Sequence, residues 1–419
     1  MDAYCPEWAS AAVTHRGGIE MSISAPLSAA HQLLLLLARL SLSDDQQRAA
    51  LDLCSQISDW DCLARQARQR FVLPLVYRHL RHLDPSTIPS AQWESMRRQS
   101  LAIVQQNLYA ATAIQRLVCE LLEPLGIPYV FFKGHALATR YYDDPALRFC
   151  RDIDLLVPRD RMVELVEIAL KRGYTPHAPQ GLIPDRTSLA FAVRVRPVIS
   201  LMSPQGVPVE IHHQIDKSNT IYETDELVAG SETDWLGDTQ VSVMPTAELF
   251  VYACLHHTRH YWSHLHWLVD LDAMQQHPDF NLEAVYACAE RRNLTTTVEA
   301  SLELYRVCAQ PEPWRDKDMG RHGQSLLEAC LTNLQGNQEV ELALRHRQAA
   351  ADYPFAWQTS LGDRLHWRVK RLTHSLQPTY ADYQSLPLPE GLHWVYLMTR
   401  PFRGLLKRIV ANRFGILPP

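Results

Sequence analysis

Two aspartates one residue apart, Asp152 and Asp154, lie in the apolar segment DIDLLV. In a β-strand alternate side chains point to the same face, so the two carboxylates are expected to share a face with Leu156. Two anions this close repel each other and resist burial unless a cation lies between them. Oxygen ligands favour magnesium or manganese over zinc. The pair therefore predicts a divalent metal site, and magnesium in turn indicates phosphate chemistry.

A third acid follows on a later predicted strand. The segment VPVEIHHQI comes after the turn SPQG, and Glu210 alternates there with Val209 and Ile211. The Glu210 side chain is therefore expected to point away from the packed face. A third carboxylate is needed if the site is to hold two metal ions and activate an attacking hydroxyl. We predict that Glu210 is this metal ligand.

A glycine turn lies upstream of the acidic pair. The apolar run from Tyr129 to Phe132 predicts a short strand that ends at Lys133 and Gly134, and a helical pattern follows from about His135. Backbone N–H groups at such a turn approach a phosphate closely, while the helix dipole and the lysine ammonium add positive charge. The turn predicts a phosphate-binding site.

Together these motifs resemble a bacterial family usually called the uncharacterised nucleotidyltransferase family. The wider superfamily shares a glycine turn, an acidic pair spaced as D-x-D and a third acid on a later strand. The closer family shows a K-G turn, a following A-L, a tyrosine, an arginine and D-I-D-L-L-V. The corresponding residues here are Lys133, Gly134, Ala136, Leu137, Tyr141 or Tyr142, Arg148 and Asp152 to Val157, with VEIHHQI and HHTRHYWSHLHWLVDLDAM further on. The match covers roughly Trp60 to Met274, and the combination is specific although D-x-D alone is weak.

The resemblance implies an α+β fold with a small mixed-sheet core between N- and C-terminal helical regions. It implies that Asp152 and Asp154 bind Mg²⁺ (or Mn²⁺) ions that bridge a nucleoside triphosphate. Glu210 would help bind the second ion and lower the pKa of an acceptor hydroxyl. Two ions about 4 Å apart would stabilise the entering and leaving oxygens at the α-phosphorus, with pyrophosphate as the leaving group. Lys133 would neutralise phosphate charge.

His135 and Arg148 are the other two residues predicted to bind the nucleotide. His135 follows the turn where the wider superfamily has a serine or a second glycine, so a serine contact to the triphosphate is not available. His135 is still expected to lie in the nucleotide site together with Gly134. Arg148 is predicted either as a second cation for the nucleotide or as a surface partner of Asp143 or Asp144.

A histidine-rich block comes later, with His256, His257, His260, His264 and His266. A zinc site is one interpretation, but neither an H-E-x-x-H motif nor a flanking cysteine pair supports it. The simpler interpretation is a helix that breaks near Trp262 and packs beside the catalytic strands, with some histidines on the acceptor side of the cleft. Asp270 is predicted to pack this helix or to bond a histidine. The block's predicted core residues are Trp262, Leu265, Trp267 and Leu268.

Composition limits the classes of partner. The chain has 419 residues, of which 47% are hydrophobic and 21% charged, and its net charge is -5. Such a chain is expected to be soluble and large enough for two or three domains. The negative charge gives no general attraction to nucleic acid, so a long DNA or RNA partner is disfavoured and a small-molecule or peptide acceptor fits better.

Cysteine use and hydropathy predict a cytoplasmic location. The nine cysteines are scattered, and no C-x-x-C pair occurs. The longest apolar run, Leu33 to Ala38, is too short to span a bilayer, and the start lacks the pattern of a signal peptide.

The periodicity predicts three segments: an N-terminal helical region (1–123), a nucleotidyltransferase core (124–245) and a C-terminal helical region (246–419). Within the core we predict a hairpin from Leu189 to Ile211 and a substrate flap at HAPQGLIPDRT. The basic tail RPFRGLLKRIVANRFGILPP is predicted to dock on the protein's own surface, with an anionic membrane as the alternative. The predicted N-terminal helices are Leu33–Leu42, Asp44–Ile57, Asp59–Arg70 and Gln92–Leu122.

The leading functional hypothesis is a magnesium-dependent nucleotidyltransferase that uses an NTP, with ATP as the expected donor. One variant of this chemistry is a toxin-like enzyme that modifies a protein or a tRNA end. The alternative class is a non-catalytic nucleotide-binding module. The intact acidic pair argues against a module, because a binder has no need for two convergent carboxylates, whereas the missing serine is a weak argument for it.

Overall fold

The computed structural model describes residues 27–216, 221–310, 318–336, 357, 360–374 and 377–399. The basic tail lies outside the described residues. The contacts divide the chain into two compact units. The first comprises Met1–Thr112, Phe132–Arg151 and Ser231–Ser360, and the second comprises Ala113–Phe131, Asp152–Gly230 and Leu361–Pro419. Both units are assembled from separate stretches of chain, and the division into three consecutive segments stays a prediction.

The helices are α1 (Ala29–Leu36), α2 (Asp44–Cys54), α3 (Trp60–Gln69), α4 (Leu73–Leu83), α5 (Ser90–Leu117), α6 (Gly134–Tyr141), α7 (Arg159–Lys171), α8 (Arg186–Val195), α9 (Thr224–Ala229), α10 (Thr246–Arg259), α11 (His266–Gln276), α12 (Leu282–Arg291), α13 (Thr295–Cys308), α14 (Arg321–Gln335), α15 (Leu361–His374) and α16 (Tyr380–Ser385). The strands are β1 (Val130–Phe131), β2 (Ile153–Leu156), β3 (Thr175–Ala178), β4 (Val198–Met202), β5 (Pro208–His212), β6 (Glu232–Leu236) and β7 (Thr239–Val243). The predicted α+β class is confirmed.

The second unit contains a mixed sheet in which five strands lie in the order β3-β4-β5-β2-β1. The neighbours β2 and β5 are parallel, whereas the β1–β2, β3–β4 and β4–β5 pairs are antiparallel. The four residues of β2 are all buried. β2 lies between β1 and β5, so Asp154 is not on an exposed edge strand of the sheet.

The sequence pattern predicts one helix of the second unit, α7, but not another, α8. In α7 the residues Met162, Leu165, Val166 and Ala169 are buried, as the helical spacing predicts. The chain then turns at Gly173, whose φ of +88° suits glycine. In contrast, the prediction of a hairpin from Leu189 is wrong in its first half, because residues 186–195 form α8 and only β4 and β5 form the hairpin.

The helical start of α8 has a local cause. The Asp185 side chain accepts a hydrogen bond from the Ser188 backbone N–H, which caps the helix. Leu189, Phe191, Ala192 and Val193 are buried, so packing stabilises a helix although Phe191, Val193 and Val195 have strand preference. The loop predicted as a flap is held to α16, since Ile183 N donates to the Tyr380 hydroxyl and Gln384 Nε2 donates to the Gln180 and Gly181 carbonyls.

The first unit is mainly helical. The predicted N-terminal helices are present with shifted ends, and α4, which the sequence analysis did not predict, follows α3. The apolar run from Leu33 to Ala38 is completely buried. Within the described part of the chain, no helix is both long and apolar enough to cross a membrane. The hairpin of β6 and β7 also belongs to this unit.

Candidate active site

An acidic group lies on the sheet of the second unit. Asp154, Glu210 and His212 each offer one ligand atom, and these atoms all lie within 4.8 Å of one another. His212 Nε2 is 3.1 Å from Asp154 Oδ1 and 3.5 Å from Glu210 Oε2. Asp154 is only 4% exposed, whereas the Glu210 side chain is 37% exposed. The group is therefore buried on one side and open to solvent at the glutamate.

Strand register brings these three residues together. Asp154 on β2 is the direct partner of Glu210 on β5, so the two carboxylates lie side by side on one face. His212 follows Glu210 by two residues on β5 and shares that face. This register places Glu210 on the same face as Asp154, opposite to its buried neighbours Val209 and Ile211. Apolar neighbours such as Ile153, Leu155 and Ile211 occupy the other face and are buried.

Asp152 lies one residue before β2 and is half-buried. Its carboxylate is not among the three ligand atoms that lie within 4.8 Å of one another. Of the predicted trio, the structure therefore brings Asp154 and Glu210 together directly. A role for Asp152 as a metal ligand stays a prediction.

The glycine turn belongs to the first unit and begins α6. Gly134 has a φ of +62°, a left-handed conformation that glycine adopts without steric cost. Lys133 precedes it in extended conformation, with its Nζ atom 5.3 Å from the centre of the Phe132 ring. The strand, glycine turn and helix predicted from the sequence are all present.

His135, the second residue of α6, is 9% exposed. Burial, assisted by the positive charge of Arg148, lowers the pKa of His135 to about 4. The ring is consequently neutral near pH 7, and it can exchange hydrogen bonds with a ligand but adds no positive charge. Its buried Nδ1 atom has no hydrogen-bond partner among the described residues.

Arg148 is buried, and its guanidinium binds within the first unit. Nε and one terminal nitrogen donate to the two oxygens of Asp270 at 2.8 and 2.9 Å. The other terminal nitrogen donates to the Gly134 carbonyl at 3.3 Å. The alternative that Arg148 is a surface partner of Asp143 or Asp144 is wrong, since Asp143 pairs with Arg78 instead. Direct contact between Arg148 and a nucleotide stays a prediction.

Asp270 completes this network. Its Oδ1 also accepts a hydrogen bond from the Tyr142 hydroxyl at 2.6 Å. Tyr142 is the residue that directly follows α6. Burial alone would lower the pKa of Arg148, but the Asp270 carboxylate keeps that pKa well above its usual value. This arrangement corresponds to the predicted packing role of Asp270, because the buried ion pair joins α11 to both ends of α6.

The histidine-rich block breaks as predicted. α10 ends at Arg259 and α11 begins at His266, and the intervening Tyr261 and Trp262 have positive φ. His257 stacks on Trp267 with ring centres 4.7 Å apart and an interplanar angle of 8°. Burial lowers the pKa of His256, His257 and His266 well below the usual value. The predicted core residues Trp262, Leu265, Trp267 and Leu268 are buried.

The zinc interpretation of this block gains no support from the described residues. Among them, the group that satisfies the geometric requirements of a metal site is the one at Asp154, and it includes none of the five clustered histidines. The histidines instead contact aromatic rings, for example His264 with Phe71 at 4.5 Å. A contribution of these histidines to acceptor binding stays a prediction.

The acidic group suits a divalent cation. Two carboxylate oxygens and an imidazole nitrogen are ordinary ligands for such ions. His212 Nε2 lies 3.1 and 3.5 Å from oxygens of the two carboxylates, so these three side chains would together hold a single divalent ion. The donor set therefore fits the metal that the fold implies.

Comparison with known proteins identifies the family. Residues 56–310, more than half of the chain, match the family model described as "Uncharacterised nucleotidyltransferase". The chain therefore belongs to this nucleotidyltransferase family, and the protein is an enzyme of nucleotidyl transfer. No curated protein matches the chain.

His212 is the member of the acidic group that the sequence analysis did not select. The signal was present, because period-two alternation in VEIHHQI places the first histidine on the same face as Glu210. What the sequence did not provide was the distance between the imidazole and Asp154, which depends on the parallel pairing of strands far apart in the chain.

Proposed function

We propose that this enzyme transfers a nucleoside monophosphate from ATP to a small-molecule or peptide acceptor, requires Mg²⁺ (or Mn²⁺) and releases pyrophosphate. The supporting observation is the pairing of Asp154 with Glu210 on neighbouring strands, beside His212. Two carboxylates on one sheet face are costly to bury alone, and a bound cation offsets that cost. The family match supports the same chemistry.

The proposed residue roles divide between metal binding and nucleotide binding. Asp152, Asp154 and Glu210 hold the metal, which when bound neutralises phosphate charge and activates the acceptor oxygen. Glu210, the most exposed of the three ligands that lie together, faces the acceptor hydroxyl. Lys133 and the backbone of Gly134 bind the donor phosphates, and neutral His135 hydrogen-bonds the nucleotide. Arg148 supports the turn through the Gly134 carbonyl.

The test is calorimetric titration of ATP, GTP, CTP and UTP with magnesium into the wild type and into Asp154→Asn. We expect metal-dependent binding of ATP to the wild type and its loss in the variant. Glu123→Gln is the matched control, because this exposed acid of the same unit is remote in sequence from the acidic group and should bind ATP normally.

Pyrophosphate release in the presence of acceptor-containing cell extract then tests turnover. Release by the wild type and by Glu123→Gln, but not by Asp154→Asn, supports the transferase. If nucleotide binds without pyrophosphate release for every acceptor extract, the proposed transfer to a small-molecule or peptide acceptor is overturned. Transfer of label onto protein or tRNA would identify the toxin-like variant of the same chemistry.

A further inference from the structure

We infer that His212 is a metal ligand and that the group of Asp154, Glu210 and His212 selects Mn²⁺ over Mg²⁺. This inference deepens the proposed function, on which it rests, by assigning the metal preference of the same site. It differs from an all-oxygen site because one of the three donors is an imidazole nitrogen. The imidazole lies beside both carboxylates, as the distances of 3.1 and 3.5 Å show.

The chemistry of the donors gives the selectivity. Magnesium prefers oxygen ligands and holds water tightly, whereas imidazole suits transition-metal ions. Manganese is a first-row transition-metal ion, so replacing an oxygen donor by nitrogen reduces its affinity less than it reduces the affinity of magnesium. It also accepts the same octahedral carboxylate sites as magnesium. The imidazole nitrogen should therefore raise the affinity for manganese relative to magnesium, and manganese still supports phosphate transfer.

A second feature of the same face is a buried serine hydroxyl beside the acidic group. Ser200 on β4 is the register partner of Glu210, so its side chain is on the face that carries the acidic group. Ser200 is 4% exposed, and its Oγ atom has no hydrogen-bond partner among the described residues. Buried polar atoms are normally satisfied. An unsatisfied hydroxyl beside Glu210 is expected where a bound ion and its water complete the site.

The alternative is that His212 only forms an ion pair with Asp154 and supports the fold. An ion pair of this kind predicts no preference between two divalent cations. A ligand predicts that the preference depends on the donor atom at position 212. Metal binding measured without nucleotide therefore separates the two, and it does so without reference to transfer activity.

The experiment compares Mn²⁺ and Mg²⁺ binding to the purified full chain, with Mn²⁺ followed by electron paramagnetic resonance and Mg²⁺ by competition. We expect the wild type to bind Mn²⁺ at least about 10-fold more tightly than Mg²⁺, a difference of about 1.4 kcal/mol. His212→Asp replaces nitrogen by oxygen and should reduce this ratio to near one. The control is His177→Asp, which changes an exposed histidine of the same unit and should keep the wild-type ratio.

Thermal unfolding establishes that each variant is folded, and His212→Gln provides a second variant with a polar side chain of similar reach. An equal ratio in the wild type and His212→Asp overturns the inference, as does failure of the wild type to bind Mn²⁺ at millimolar concentration. Either result leaves the transferase proposal intact if Asp154→Asn still abolishes magnesium-dependent ATP binding. Loss of nucleotide binding in the wild type would instead overturn the proposed function.

Discussion

Two carboxylates in this enzyme, Asp154 and Asp270, are both buried but have different surroundings. Asp270 accepts two hydrogen bonds from Arg148 and one from Tyr142, and it is 0% exposed. Asp154 lies beside a second acid, Glu210, and beside the imidazole of His212, which carries a positive charge only when it is protonated. The charge of the Asp270 carboxylate is neutralised by an arginine of the protein. The Asp154 carboxylate is suited to a cation that binds with or before the substrate.

The comparison indicates that the two sites contribute differently to the protein. A carboxylate bound by a guanidinium stabilises the fold and cannot easily change partners. A carboxylate next to another acid is less favourable in the folded chain and retains affinity for a metal. Stability and activity measurements should therefore respond in opposite ways to changes at the two positions.

The largest effect on stability is expected at the buried ion pair. Asp270→Ala leaves the Arg148 charge buried and unpaired, so the free energy of unfolding should fall by about 3–5 kcal/mol. Urea denaturation measures this change. Asp143→Ala is the matched control, because its exposed pair with Arg78 should contribute less than about 1 kcal/mol.

A double variant tests whether the loss of stability comes from the unpaired Arg148 charge or from the loss of the ion pair as a whole. Arg148→Met with Asp270→Leu removes both charges, and we expect it to be more stable than Asp270→Ala alone. If the double variant is less stable than the single one, the unpaired charge is not the cause of the loss.

Acidification should destabilise the first unit through His135. Its pKa is about 4 in the folded protein and near 6.5 when unfolded. Between these pH values the unfolded chain binds more protons, so stability is lost as the pH falls from 6.5 to 4, by roughly 3 kcal/mol in full. In His135→Asn the loss between pH 7 and pH 4.5 should be smaller. Exposed His82→Asn is the control, and an equal pH dependence in both variants would exclude this assignment.

At the acidic group we expect activity and stability to separate. Asp154→Asn should reduce nucleotidyl transfer by at least about 100-fold, since it removes charge stabilisation at the reacting phosphate. Its free energy of unfolding should stay within about 1 kcal/mol of the wild type or rise, because a like-charge contact with Glu210 is also removed. A fall of several kcal/mol would show that Asp154 resembles Asp270 and has a mainly structural role.

The smallest effect is expected at Ser200. Ser200→Ala removes a buried hydroxyl that has no partner among the described residues, so the free energy of unfolding should rise by up to about 1 kcal/mol. Ser188→Ala is the contrasting control, since the Ser188 hydroxyl bonds the Tyr380 hydroxyl and its loss should destabilise by about 1 kcal/mol. If Ser200→Ala is the more destabilising of the two, the hydroxyl has a structural role.

Local sequence patterns predicted the parts of the site that depend on one element. The alternation in β2 and β5, the glycine turn before α6 and the helical stripe of α7 are each visible within about ten residues. The structure contains all three. The prediction failed at residues 189–195, where Phe191, Val193 and Val195 suit a strand but burial of one face stabilises a helix.

Local sequence patterns could not predict which residues far apart in the chain contact each other. The contact between Arg148 and Asp270 joins residues separated by 122 positions. Nothing near Arg148 distinguishes a buried ion pair from contact with Asp143 or Asp144, because all three acids have the same chemistry. The sequence therefore shows which residues carry charge, whereas the packing decides which charges are neutralised within the protein.

The parallel pairing of β2 with β5 also has a consequence for how the chain folds. Asp154 and His212 are 58 residues apart, and a helix, two further strands and another helix intervene. Closing such a long loop is slow, so these ligands cannot meet early. A metal ion would then find no preformed site in the nascent chain, and we expect it to retard unfolding while leaving the folding rate almost unchanged.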